Sequence, residues 1–205
     1  MKNIFLIMLF HPFEAFDIIK MERERSVKIW PAVLLILFAA LEKYVYNYVV
    51  SFQFRGRELS NVNFFVEIGY VVIPIILWVV ADFCMTAIMD GETKLKEVFV
   101  TSGYCLAPYI LITPILAILS HFLGSGEAGF YFFLKNAILV WVILLLFFAL
   151  LRQNNYGLLK AIWVTLLSVL FMVIFAAVVI FVLALSIQLV TTLGDVLQEI
   201  ERKML

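Results

Sequence analysis

The sequence predicts an all-α integral membrane protein: a five-transmembrane-helix bundle with an N-terminal interfacial helix and a C-terminal amphipathic helix. Three observations predict it. Of 205 residues, 65% are hydrophobic and only 15% charged, against roughly 45–50% and about 25% in soluble domains. Five apolar runs are each long enough to cross hydrocarbon, which takes about 20 residues. Lys and Arg are concentrated in alternate polar stretches between those runs.

The spans fall at Trp30–Val50, Phe64–Met89, Thr101–Phe122, Phe130–Leu151 and Leu158–Val190. They divide the chain into an N-terminal segment (1–27), a membrane domain (28–190) and a tail (191–205). The first span carries Glu42 and Lys43 in its outer half. Adjacent residues point about 100° apart on a helix, so the two do not pair well. Lys43 can snorkel outward, or the helix ends near Leu41 and continues along the interface. The fifth run is longer than a bilayer needs, about 50 Å against a core near 30 Å, so it must tilt or project.

Orientation follows from the basic residues. Lys2, Lys20, Arg23, Arg25, Lys28, Lys94, Lys96, Arg152 and Lys160 share one side, which is nine. Arg55, Arg57, Lys135, Arg202 and Lys203 share the other, which is five. The richer side is expected in the cytoplasm, with the N-terminus inside and the C-terminus outside. Tyr44, Tyr46, Tyr48, Phe52, Phe54 and Phe130–Phe133 then form an outer aromatic belt. The short apolar stretch Ile4–Phe10 has no small-residue cleavage site and runs into His-Pro, so a cleaved signal peptide is not expected.

Two flanking segments are amphipathic. In His11–Glu24, Phe13, Phe16 and Ile19 lie three apart, with Lys20 and Arg23 off that stripe. Pro12 suits a first helical position. This predicts a helix on the inner membrane surface, with Phe13, Phe16, Lys20 and Arg23 as its lipid contacts. At the C-terminus, Leu193, Val196, Leu197 and Ile200 form one stripe that can dock onto a partner.

Few residues carry chemistry. The balanced charge, fifteen basic against fifteen acidic residues, gives no electrostatic reason for nucleic-acid binding. Cys84 and Cys105 lie in apolar runs and read as small buried hydrophobes. No metal-ligand spacing, cofactor loop or nucleophile–base constellation is present, so neither a catalytic site nor a cofactor is expected. Gly124–Gly129 matches GxGxxG literally, but that motif binds dinucleotides only between a strand and a helix; here it joins two spans as a turn. Asp90 and Glu92 flank Gly91 in a hydrated turn. Pro74, Pro108 and Pro114 fall within spans as packing devices, and no inverted repeat is visible. Asp82, in LWVVADF, is the informative acid. At its depth a carboxyl group is costly unless it faces protein or water. It is a candidate intramembrane polar site, with Tyr104 or Thr101 as hydrogen-bond donor. Glu67 and His121 lie at outer helix ends and read as interfacial.

The stretch DGETKLKEVFVTSGYCLAPY, residues 90–109, resembles the YIP family (Ypt-interacting-protein domain). The features are an acidic-Gly turn (Asp90, Gly91), a short amphipathic lead-in containing Phe99, then Tyr104, Ala107, Pro108 and Tyr109 opening the third span. Asn155–Ala161, NYGLLKA, is similar to the family's fourth-to-fifth loop. The likeness covers about residues 28–190. The N-terminal HPFEAFDIIKMERERS and the acidic-basic tail resemble a narrower bacterial branch, whose genes lie beside carbohydrate ABC importers in Gram-positive bacteria. That branch often has Asn where this chain has Asp82, so an amide serves there as well. The resemblance implies a non-catalytic accessory subunit in the bacterial cell membrane, bound to the importer's permease. Its eukaryotic members organise vesicle membranes and contact Rab-type GTPases through cytoplasmic regions, and this chain's corresponding segment is short. A bilayer-organising protein, or a small transporter using Asp82, are the rival functions.

Overall fold

The computed structural model describes residues 4–21, 28–55 and 62–204, with side chains as far as residue 192. All regular elements in it are helical. Five stretches are long and apolar enough to cross a membrane: Trp30–Val49, Phe64–Ile88, Leu95–Leu119, Ser125–Gln153 and Leu158–Thr192. In hydrocarbon every backbone N–H and C=O must be satisfied within the segment, and a helix does this.

Two short helices come first, α1 (Ile4–Phe10) and α2 (Pro12–Met21), with Pro12 opening the second. The expectation for this segment was a helix spread on lipid. The structure packs one face of α1 and α2 against the bundle: Met8, Ala15, Phe16 and Ile19 belong to the main hydrophobic core, so Phe16 is covered by protein. Phe16 is wholly enclosed by protein, while Phe13 on the neighbouring face stays half exposed and meets Phe148 edge-on at 5.2 Å. Lys20 is half buried, and Arg23 lies outside the described residues.

The first span, α3 (Trp30–Val49), is one unbroken helix that carries Glu42 and Lys43 inside it. A short 3-10 turn at Phe52–Phe54 follows. Helix α4 (Phe64–Ile88) begins at Asn63, whose side chain accepts from the Phe65 N–H. Pro74 sits inside it without breaking it.

The third span differs from expectation in two ways. It begins at Leu95 rather than Thr101, and it is two helices, α5 (Leu95–Cys105) and α6 (Ala107–Leu119), interrupted at Leu106. Pro108 explains the break: it has no N–H to offer the carbonyl four residues back, and its ring crowds that carbonyl. Lower down, α5 crosses α3 closely. A Cβ added at Gly103 would lie 2.8 Å from the Ala32 Cβ, so only glycine permits this approach.

Helix α7 (Ala128–Gln153) returns, and α8 (Leu158–Met204) is a single helix of 47 residues. The expected membrane run and C-terminal tail are therefore continuous. α8 packs on α4 and α7 through Ala161, Val164 and Ser168, which are buried. From Ala177 to Thr192 every side chain is exposed.

One end of the bundle, here called proximal, holds the start of α3, the end of α4 and the end of α7. The distal end holds the opposite termini. There, Ser51 N–H donates to Ser120 Oγ (2.9 Å), and His121 Nε2 donates to the Val49 carbonyl (2.6 Å). Tyr46 and Tyr131 are both buried and share a hydroxyl–hydroxyl hydrogen bond. His121 thus clamps α6 onto α3.

Candidate functional site

The densest polar structure in the described residues lies at the proximal end, where two turns interlock. Helices α4 and α7 terminate alike. Beyond each C-cap stands a non-glycine residue in the left-handed region, Asp90 (φ 55) and Asn155 (φ 53). Asp and Asn tolerate that conformation because a short polar side chain bonds locally. The next residue's N–H then turns back onto the helix: Gly91 to the Thr86 carbonyl (2.7 Å), and Tyr156 to the Leu151 carbonyl (3.1 Å). Each is a Schellman closure that satisfies an otherwise orphaned carbonyl.

Asn154 joins the two turns. Its Oδ1 accepts from the Glu92 N–H (3.0 Å), the Thr93 N–H (3.2 Å) and the Thr93 hydroxyl (2.9 Å). Its Nδ2 donates to the Leu150 carbonyl (3.0 Å). Tyr156 crosses the other way, its hydroxyl donating to the Met89 carbonyl (3.0 Å). Burial, with the negative charges of Asp82 and Asp90 adding to it, raises the Tyr156 phenol above its usual range and keeps that donor protonated. Lys160 caps the ring, its ammonium 4.4 Å from the centroid. One turn deeper, Gln153 donates to Thr101, tying α7 to α5.

Helix α2 is fastened to the outside of this knot. Arg152 forms a two-pronged ion pair with Asp17, both contacts at 2.9 Å. Lys20 donates to Asn155 Oδ1 (2.7 Å), and Asn155 Nδ2 donates to Glu92 (3.2 Å). Thus Lys20, assigned from sequence to the lipid surface, is engaged with the α7–α8 turn.

Asp82 is 5% exposed on α4, and its Oδ1 has no hydrogen-bond partner. Thr101, one of its two expected donors, is engaged by Gln153. Tyr104 is half buried against the main core. Leu193, Val196, Leu197 and Ile200 fall on α8 but lie beyond the described side chains. Of the glycines of the GxGxxG match, Gly124 precedes a short 3-10 turn at Ser125–Glu127, Gly126 lies in it and Gly129 lies in α7, each with nothing within 4 Å of an added Cβ. No group of three His, Cys, Asp or Glu side chains suited to a metal occurs among the described residues.

Sequence reasoning read Asp90, Gly91 and Glu92 as a hydrated turn, and the NYGLLKA stretch only as part of a resemblance. It missed Asn154, Gln153 and Thr93 as partners. The one available signal was the polar run Gln153-Asn154-Asn155 at the end of an apolar span.

A family model, the Yip1 domain, matches residues 6–193. No curated protein and no solved structure matches the chain. The match begins within α1 and runs through all five membrane helices, so it takes in the tucked N-terminal segment, both interlocked turns and the exposed length of α8. The chain belongs to the Yip1 domain family of membrane proteins.

Proposed function

We propose that this chain is a non-catalytic accessory protein of the bacterial cell membrane, oriented with its N-terminus in the cytoplasm and its C-terminus outside. It works by docking onto another membrane protein, the permease of a carbohydrate ABC importer. The observation that carries the reading is the unpartnered length of α8. An 18-residue apolar window of Leu158–Thr192 is only 6% buried within the chain, against 28–56% for such windows of the other four spans. A 47-residue helix is roughly 70 Å long, about twice the hydrocarbon core. The apolar stretch Leu158–Thr192 alone is about 50 Å long, and where it projects beyond the hydrocarbon a protein surface is its remaining cover. In the sequence the stripe Leu193, Val196, Leu197 and Ile200 follows that stretch.

The importer itself is suggested by the bacterial branch that the termini resemble. The test is purification of the chain with its genomic neighbours in mild detergent, alongside sugar uptake in a deletion strain. Co-elution with the permease and an uptake defect are expected. A chain that elutes alone, with normal uptake on deletion, rejects the proposal.

A second reading, that the chain shapes or senses the bilayer, draws on Phe10 and Met21, each 70% exposed, and on half-exposed Phe13. Vesicles reconstituted with the chain should then change in size with protein content. An unchanged size distribution rejects that reading.

A further inference from the structure

Two lysines from different helices converge on one aromatic ring in the distal half of the bundle. Lys43 of α3 and Lys135 of α7 place their ammoniums 5.7 and 5.2 Å from the centroid of the Tyr46 ring. The ring is fixed in place. It is buried, its hydroxyl is bonded to that of Tyr131, and Tyr131, fully enclosed, stacks on Phe54 at 4.5 Å. The separation of the two ammoniums therefore cannot exceed the sum of those two short distances.

Neither charge is answered. Neither ammonium has a hydrogen bond or an ion pair among the described residues. The ionised group that acts on Lys135 is Lys43, a like charge. The acids of this half of the bundle, Glu42 and Glu67, act on Tyr109 of α6 instead. A ring face attracts a cation, but it does not cancel the repulsion between two of them. Both lysines are half buried, where salt screens little. The pair leaves a place for one anion.

Depth decides which anion. Lys43 stands between Tyr44 and Tyr46, and Lys135 is two residues beyond Phe133. Such aromatic residues mark the headgroup level of a bilayer. At 1.5 Å per residue, both lysines lie roughly 10 Å inside the helix ends at Val49 and Ala128. On α7, Leu139 and Ile143 follow Lys135 at four-residue steps toward the bilayer centre, and both are exposed. An anion held at Lys135 thus has an apolar track beneath it. The track suits an acyl chain and offers nothing to a free inorganic ion.

We propose that Lys43 and Lys135 hold the phosphate of one anionic phospholipid, with an acyl chain lying along Leu139 and Ile143. Basic pockets between membrane helices take such headgroups. A headgroup of net negative charge answers both ammoniums, whereas a zwitterionic one brings its own cation with it. The site goes beyond the accessory role and needs no partner protein.

The test uses the full chain, stripped of lipid in detergent and titrated with phosphatidylglycerol or with phosphatidylcholine of the same acyl chains. Native mass spectrometry counts the bound lipid. One phosphatidylglycerol per chain should bind about tenfold more tightly than phosphatidylcholine. The preference should shrink in Lys43→Met and in Lys135→Met and vanish when both are replaced. It should survive Lys43→Arg combined with Lys135→Arg, which keeps both charges. Lys160→Met, at the proximal end, should leave it unchanged. Equal binding of the two lipids, or a preference that survives the double methionine change, overturns the proposal. Should the double methionine chain misfold, the arginine pair decides: loss of the preference there overturns the proposal too. A large excess of inorganic phosphate should not displace the phosphatidylglycerol. Displacement would make the pair a free-anion site and overturn the lipid as occupant.

Discussion

Gly91 and Asn154 approach so closely that only a hydrogen fits between them: a Cβ built on Gly91 would lie 2.7 Å from Asn154 Oδ1. The same Cβ would meet the Tyr156 hydroxyl at 2.7 Å and the Thr86 Cβ at 2.8 Å. The two turns are 61 and more residues apart in sequence, yet they share one hydrogen-bonded centre.

Gly91→Ala is therefore expected to lower stability by about 2 kcal/mol through overpacking. Gly124→Ala, with nothing within 4 Å of its added Cβ, should change it by less than about 0.5 kcal/mol. Thermal unfolding of both variants in the same detergent checks the contrast. Equal effects would show that the turn yields freely.

Asn154 answers three donors with one oxygen. Asn154→Leu strands the Glu92 and Thr93 amides, at a cost of about 1–3 kcal/mol for each buried group. Asn154→Asp keeps the acceptor and loses only the bond to the Leu150 carbonyl. Stability should rank wild type, then Asp, then Leu. Amide hydrogen exchange at residues 92 and 93 should quicken most in the Leu variant.

Helix α2 is held by burial more than by charge. Phe16 is fully enclosed, so Phe16→Ala should cost about 3–5 kcal/mol, or release the helix. The Asp17–Arg152 pair is half exposed, with side-chain exposures of 41% and 50%, so Asp17→Ala should cost no more than about 1 kcal/mol. Limited proteolysis within α2, residues Pro12–Met21, reads the outcome. Cleavage that quickens more in Asp17→Ala than in Phe16→Ala contradicts this ranking.

A chain stopped after Ala177 keeps about 20 residues of α8, enough to cross the bilayer. It also keeps Ala161, Val164 and Ser168, the buried contacts of that helix. Its melting temperature should match the full chain's, while co-purification with a partner should be lost. A truncated chain that unfolds at lower temperature would assign the distal half of α8 a structural role instead.

Reporter tags at the two ends should lie in opposite compartments, as an odd number of crossings and the nine-to-five bias of basic residues require. Tags found in the same compartment would overturn the five-span layout.

The amino-acid sequence by itself determined that five runs are long and apolar enough to cross a membrane. Hydropathy sums over neighbours along the chain, and Trp30–Val49, Phe64–Ile88 and Leu158–Thr192 each meet the bilayer's length requirement without help from any other segment. The acidic-Gly turn and NYGLLKA also sufficed to suggest the family. The contacts between segments were decided only by tertiary structure. Asp17 meets Arg152 across 135 residues, and Lys20 meets Asn155 across the same distance. Periodicity shows that α2 has an apolar face, but lipid and protein are equally apolar, so it cannot tell which of them covers Phe16.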